Sequence, residues 1–292
     1  MIGLDRHHSY ADIFREMKEL AKEYEDFTIC RTVGESHDQR PIPMIRIGMG
    51  MKTLVLTGGI NGREWANPAL LLKLLEEYCW LYQEDGCVGE YQVRNLLNHC
   101  ALAVLPLLNP DGYQVAREGY SQIRNPVLRQ LCRIKGIPSQ EWEFNARGIN
   151  IGGNFPCRSY ISQQLGEYPG SEQETQALIR VFQEYDTVGY MDFHSRGRVI
   201  CYYRHAMSFS YNQRNHRMAR YLQKISDYGL GKQGDEEVGG SPVNYYSELV
   251  GQPALTVETL AADGRDTDSL EKAFGEIRPL PLEFLSRTAL RP

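Results

Sequence analysis

Short apolar runs alternate with helix-periodic stretches along most of this chain, and that alternation leaves few folds open. Phe27 to Val33, Met44 to Gly48, Leu54 to Thr57, Ala101 to Leu105, Val188 to Phe193, Val199 to Tyr203 and Ala254 to Val257 read as strands. Between them, Ile13, Met17, Leu20, Ala21 and Tyr24 recur at helical spacing behind a capping box at Ser9-Tyr10-Ala11-Asp12. Asn67-Pro68 opens a helix through Leu71, Leu72, Leu75 and Cys79, and a second capping box, Ser171-Glu172-Gln173-Glu174, opens one through Ala177, Leu178, Val181 and Phe182. Met218, Tyr221, Leu222 and Ile225 mark a further helix, and Leu270 to Leu290 a C-terminal one interrupted at Pro279 and Pro281. Asn109-Pro110-Asp111-Gly112 reads as a turn, and Gln114 to Gly170 as irregular loops around a site rather than a linker. Strands interleaved with helices imply a sheet covered on both faces. No repeat or boundary divides the chain, so residues 1–292 read as a single α/β domain.

Composition narrows the class of partner. At 292 residues and 42% hydrophobic content the chain can bury a large core. A net charge of −5 and the absence of a Lys/Arg cluster argue against nucleic acid or an anionic membrane, and favour a small or peptidic ligand. The seven cysteines (Cys30, Cys79, Cys87, Cys100, Cys132, Cys157 and Cys201) lack CxxC or CxxH spacing and read as reduced thiols. The first residues lack a signal-peptide pattern and no run reaches the roughly 18 apolar residues of a membrane span, so the expected location is cytoplasmic.

Two clusters carry the chemistry. Asn61-Gly62-Arg63-Glu64 follows one apolar run, Phe193-His194-Ser195 ends another, and Glu258 follows a third. Carboxylates and an imidazole delivered from strand ends are the parts of a zinc hydrolase site. In a sheet of this kind, strand ends at one edge converge on a crevice, which would gather Glu64, Asn109, His194 and Glu258. The remaining histidines, His7, His8, His37, His99, His205 and His216, lack motif support and read as surface or core residues.

A series of motifs then resembles one family. Gly34-Glu35-Ser36-His37-Asp38-Gln39-Arg40-Pro41-Ile42, Gly58-Gly59-Ile60-Asn61-Gly62-Arg63-Glu64-Trp65, Leu108-Asn109-Pro110-Asp111-Gly112, Asn145-Ala146-Arg147-Gly148, Asn154-Phe155-Pro156, Ser171-Glu172-Gln173-Glu174-Thr175, Asp192-Phe193-His194-Ser195 and Thr256-Val257-Glu258 stand in the order found in zinc metallocarboxypeptidases of the carboxypeptidase A type. The resemblance implies one domain built on a mixed, mostly parallel eight-stranded sheet with helices on both faces. It also implies one zinc ion held by Glu64, His194 and the residue at position 61, where the family has His and this chain has Asn61. Glu258 would be the general base, and Arg147 the cation that stabilises the oxyanion, although Arg147 equally suits a structural ion pair. Arg63, Asn154 and Ser195 would face substrate, with Arg63 alternatively bracing its loop.

Two departures bear on function. An Asn carbonyl is a neutral, poorer zinc donor than imidazole, so metal affinity should fall, unless a water held by Asn61 fills the position. The family's Asn and Arg that grip a C-terminal carboxylate are replaced in Asn150-Ile151-Gly152-Gly153 by glycines, and its mobile Tyr has no counterpart among Asp235, Glu236, Glu237 and Val238. Bacterial relatives that act on γ-D-glutamyl-diaminopimelate links also vary here, which makes a murein-type peptide a candidate substrate. Two readings stay open: a zinc-dependent peptidase with an altered ligand set, or a member without activity that binds a peptide or regulatory ligand in the same cleft.

Overall fold

The computed structural model describes residues 2–5, 8–164, 166–231, 239–261 and 267–289. Ten strands form within them: β1 (Thr28–Glu35), β2 (Pro41–Ile47), β3 (Lys52–Thr57), β4 (Cys87–Val88), β5 (Tyr91–Gln92), β6 (Cys100–Leu105), β7 (Thr187–Ser195), β8 (Val199–Cys201), β9 (Gly229–Leu230) and β10 (Ala254–Thr259). β4 and β5 pair as a separate hairpin, and the other eight make one sheet in the order β1-β2-β6-β3-β7-β10-β8-β9. The four central strands, β6, β3, β7 and β10, are mutually parallel. β1 and β2 extend the sheet antiparallel on one side and β8 on the other, with β9 parallel at the far edge.

The expected two-sided burial follows from the period-2 alternation of side chains along each strand. Leu54 and Leu56 of β3, Met191 and Phe193 of β7, and Leu255 and Val257 of β10 enter the larger core cluster. Val55, Tyr190 and Ala254, from the same strands, enter the smaller one on the opposite face. Helices cover both sides: α1 (Tyr10–Glu23), α2 (Ala66–Gln83), α3 (Val93–His99), α4 (Pro110–Glu118), α5 (Pro126–Ile134), α6 (Gln173–Glu184), α7 (Phe209–Ser226), α8 (Pro242–Leu249), α9 (Thr267–Ile277) and α10 (Leu280–Thr288). None of the described helices is long and apolar enough to cross a membrane.

The first capping box forms as the sequence implies: Ser9 Oγ accepts from the Asp12 N–H at 3.1 Å and Asp12 Oδ2 accepts from the Ser9 N–H at 3.0 Å. The second does not. Glu172, not Ser171, is the N-cap of α6 and its side chain makes no cap bond, because Ser171 Oγ donates to Glu172 Oε1 (2.6 Å) and the carboxylate turns into the interior. Asn67 is likewise not a cap. It lies inside the first turn of α2, fully buried, where its Oδ1 accepts from Thr259 Oγ1 at 2.8 Å. The supposed turn at Asn109 is the start of α4, with Asn109 Oδ1 accepting from the Gly112 N–H at 2.9 Å and Pro110 in the first turn. The stretch from Gln114 to Gly170 holds α5 and a small core of its own, Val115, Ile123, Cys132 and Trp142, which orders loops that periodicity alone leaves irregular.

Candidate active site

The parallel arrangement of β6, β3, β7 and β10 brings the residues after their carboxyl ends to one edge. Backbone bonds stitch the loops after β3 and β6 together: Leu108 N–H donates to Gly58 O (3.1 Å) and Asn109 N–H to Gly59 O (3.0 Å). The Asn109 amide, fully buried, adds bonds to Ile60 O (3.0 Å) and Phe144 O (3.2 Å). It thus ties the loop of Asn61 to the loop that leads to Arg147. Gly62 permits the close approach, since a Cβ there would fall 2.6 Å from the Gly112 carbonyl and 2.8 Å from Trp142 O.

Within this frame His194 meets Glu64. His194 Nδ1 lies 3.1 Å from Glu64 Oε2 and 3.4 Å from Oε1, while Nε2 lies 3.0 Å from Asp192 Oδ2. Behind Asp192, Thr57 Oγ1 donates to its Oδ1 at 2.7 Å, and Tyr190 Oη lies 2.6 Å from the same Thr57 hydroxyl. Burial pushes the Tyr190 hydroxyl well above its usual range, so it stays protonated and serves as the donor to Thr57. Burial alone would push the His194 imidazole down, but the Asp192 and Glu64 carboxylates outweigh it and hold the ring well above the usual histidine range. The arrangement suits a metal in part. Asp192 orients the ring so that Nδ1 faces Glu64, as an outer carboxylate does for a metal-binding histidine. The Nδ1 to carboxylate separations also match the edge of about 3.4 Å expected for two ligands about 2.1 Å from a tetrahedral zinc. These donors fit a zinc ion as two of its three protein ligands.

Position 61 fits less well. Asn61 Oδ1 accepts from the Arg63 N–H at 3.3 Å, and Asn61 O accepts from the Glu64 N–H at 3.1 Å, so its side chain caps the turn that presents Glu64. Arg63 is half-exposed, and its guanidinium reaches Glu143 Oε2 at 3.4 Å, the loop-bracing alternative. Glu258 stands in direct register with His194 across β10 and β7, which puts both side chains on one face of the sheet. Ser195 ends β7 and is partly exposed.

Arg147 is tied down by an ion pair: its Nη1 lies 2.8 Å from Glu172 Oε1. Glu172 is fully buried and also faces His37 Nε2 at 3.0 Å and Asn145 Nδ2 at 2.7 Å. Burial would raise the Glu172 carboxyl, yet the donors from His37, Ser171 and Asn145 prevail and lower it. His37, Glu172 and Glu174 bring possible metal donors within 4.8 Å of one another. The Asn145 amide, however, donates to both carboxylates (2.7 and 3.3 Å), and its Oδ1 is fixed by the Arg147 and Ile149 N–H groups. Hydrogen bonds from Asn145 and the ion pair with Arg147 thus engage the carboxylates of this trio.

Asn154, expected to face substrate, is fully buried. Its Nδ2 lies within reach of Glu167 Oε1, Tyr168 O and Ser171 Oγ, and its Oδ1 accepts from the Glu172 N–H, which makes it a brace for the loop before α6. Asn150 caps its own turn through Gly152 N–H (2.9 Å), leaving Gly152 and Gly153 without side chains where the family's grips would stand. Residues 235–238, at the place of the family's mobile Tyr, lie outside the described residues. Asp192, Thr57 and Glu172 join the site although the motifs and runs that contain them assign them no role there. For Asp192 the signal was present, because it precedes His194 by one strand period and so shares its face.

A zinc carboxypeptidase family model matches residues 13–248. The chain belongs to the zinc carboxypeptidase family, a family of metallopeptidase hydrolases that use zinc. A γ-D-glutamyl-L-diamino acid endopeptidase of Lysinibacillus sphaericus is 22% identical over 214 residues, covering 68% of this chain and 53% of that protein. The chain therefore spans about half the length of such relatives. Among solved structures, thrombin-activatable fibrinolysis inhibitor superposes with a TM-score of 0.80 at 18% identity over 99% of this chain and 76% of that one. Murein-tripeptide amidase MpaA of Escherichia coli O157 does so at 0.54 and 17% identity, over 85% of this chain and 91% of that one. At these identities the structures speak for the fold alone, and they bear out the expected single α/β domain around a mixed eight-stranded sheet.

Proposed function

We propose that this chain is a zinc-dependent peptidase with an altered ligand set, acting on an amide bond in a peptide held without the usual grip on a C-terminal carboxylate. The observation that carries the reading is the opposed pair His194 and Glu64 at 3.1 Å, backed by Asp192 and in register with Glu258. In this reading Glu64 and His194 hold the ion, with Asn61 or a water it positions near the third place. When bound, zinc supplies Lewis acidity for the attacking water and the scissile carbonyl. Glu258 takes the proton of that water and delivers it to the leaving amine. Arg147 offers its guanidinium to the oxygen that becomes anionic, and Arg63 and Ser195 line the approach.

The glycines at 152 and 153 support a substrate other than an ordinary peptide C-terminus, because no side chain there can form a bidentate grip on a carboxylate. A murein-type peptide with a γ-D-glutamyl-diamino acid link fits this reading, and the relative named for that bond supports it. The seven cysteines are all free thiols, which supports a reducing location such as the cytoplasm.

One observation favours the second reading, a cleft that binds without hydrolysing: the Asn61 carbonyl is already engaged by the Arg63 N–H. The test is zinc content after re-equilibration with a small excess of zinc, followed by hydrolysis of γ-D-glutamyl-diamino acid peptides and ordinary peptides by the parent and Asn61→His. The peptidase reading expects about one zinc per chain and hydrolysis by the parent. Near-zero zinc in the parent, with hydrolysis gained only in Asn61→His, overturns the peptidase reading.

A further inference from the structure

The Glu172 carboxylate is shared in an unusual way for a residue at the start of a helix. An acidic side chain at an N-cap ordinarily bonds the free N–H groups of the first turn. Glu172 makes no such bond. Each of its oxygens instead meets one basic side chain and one neutral donor: Oε1 faces Arg147 Nη1 (2.8 Å) and Ser171 Oγ (2.6 Å), and Oε2 faces His37 Nε2 (3.0 Å) and Asn145 Nδ2 (2.7 Å). The Arg147 backbone is fixed as well, with its N–H donating to Asn145 Oδ1 at 2.9 Å. Among the described residues nothing else bonds the Arg147 guanidinium, and 29% of the side chain is exposed. One end of the guanidinium is therefore anchored inside while the rest faces outward.

We propose that Glu172 is a positioning residue that aims Arg147 into the cleft, and that His37, held on the other oxygen of the same carboxylate, keeps the Arg147 charge from being fully neutralised. This rests on the reading of Arg147 as the substrate-facing cation. A lone carboxylate against a lone guanidinium forms a pair of zero net charge, with little attraction left for a substrate oxyanion. With the buried Glu174 keeping its own proton, its carboxyl being pushed up to about 7, a carboxylate divided between Arg147 and a protonated His37 leaves one positive charge in the group, at a site where the outward guanidinium can use it. The charged groups facing His37 are Glu172 and Glu174 at the start of α6 and Arg147 from the loop after Asn145. Burial lowers the His37 ring's proton affinity, but the two carboxylates more than compensate and raise it.

The test uses the full chain loaded with zinc and a hydrolysable peptide. Arg147→Ala should lower kcat by about 100-fold or more, the scale of losing one oxyanion donor. Glu172→Gln should lower kcat by roughly 10-fold or more with KM nearly unchanged, and Glu172→Asp should recover part of the loss. The double variant Glu172→Gln/Arg147→Ala should be no slower than Arg147→Ala alone, because Glu172 acts through Arg147. Losses that multiply would overturn the proposal. If Glu172→Gln fails to fold, His37→Gln serves: its kcat should fall below the parent's at acidic and neutral pH and converge with it as the parent's His37 loses its proton. A ratio that stays constant with pH would overturn the proposal. A parent that hydrolyses nothing removes the reading of the reaction rather than the sharing of the carboxylate. The His37 ring titration, followed by NMR, then decides: its midpoint should rise in Arg147→Ala, and no change would refute the shared pair.

Discussion

Gly189 on β7 lies opposite Leu54 of β3 and beneath the ring of Phe284 from α10. A Cβ added there would fall 2.1 Å from Phe284 Cε1, 2.5 Å from Cζ and 3.2 Å from Leu54 Cδ1. Carbon contacts are comfortable from about 3.5 Å, so the ring must retreat by more than about 1 Å. It has little space, because Phe284 and Leu54 are both fully buried. Overpacking of this kind costs about 1–3 kcal/mol, and replacing a strand glycine by alanine returns roughly 0.5–1 kcal/mol through backbone entropy. With ring and sheet both confined, Gly189→Ala should destabilise the chain by about 2 kcal/mol, a fall of roughly 4–8 °C in Tm for a domain of this size. Urea unfolding followed by circular dichroism measures it. Combining Gly189→Ala with Phe284→Leu should recover much of the loss, since the smaller side chain vacates the colliding atoms. A single variant as stable as the parent, or a double variant whose losses simply add, would refute the steric account.

Three further perturbations probe other parts of the molecule. Asp192→Asn keeps the shape of the His194 partner but removes its charge, and should weaken zinc binding about 10- to 100-fold in competition with a chromophoric chelator; unchanged affinity would show that Asp192 does not orient a ligand. Burial, and then the neighbouring Asp111, push the Glu174 carboxyl from 4.5 up to about 7. The folded chain thus holds a proton that the unfolded chain releases, so this group's contribution to stability declines as pH rises through that interval, and Glu174→Gln should flatten the decline of the urea midpoint there. Ser9→Ala removes one half of the first capping box and should cost about 1 kcal/mol in the same urea assay.

The architecture was legible because its signal is repeated. Each central strand is an apolar run long enough to stand out, and the buried faces of β3, β7 and β10 supply both core clusters. What escaped was short or borrowed its order from elsewhere. α3 and α8 span seven and eight residues, too few turns for a periodic pattern to assert itself. α5 is folded against the Trp142 cluster, whose members Val115, Ile123, Cys132 and Trp142 recur at neither helical nor strand spacing. The Ser171 box failed for a tertiary reason: the Glu172 carboxylate is worth more to His37 and Arg147 than to the first turn of α6. At the site, Glu64, His194 and Glu258 could be read as strand-end residues, and the sheet gathers them at one edge. Asn154 could not be read, because its motif does not reveal that Glu167, Tyr168 and Ser171 surround its amide.

Charge favours the peptidase reading over a cleft that merely binds. Glu64 and Asp192 are both buried, and both oppose the single imidazole of His194. Even with that ring protonated, the three groups carry one net negative charge where water is largely excluded, an unfavourable state for a resting pocket. A dication with a neutral ring brings the same three groups to zero. A neutral or anionic ligand would leave the excess in place, so a cleft kept only for binding such a molecule gains nothing from Glu64. Arg147, balanced between Glu172 and the outward face of its loop, presents the opposite sign. A metal-loaded group and an outward cation are what an amide carbonyl needs as it gains charge, which is why zinc content separates the two readings before any substrate is known.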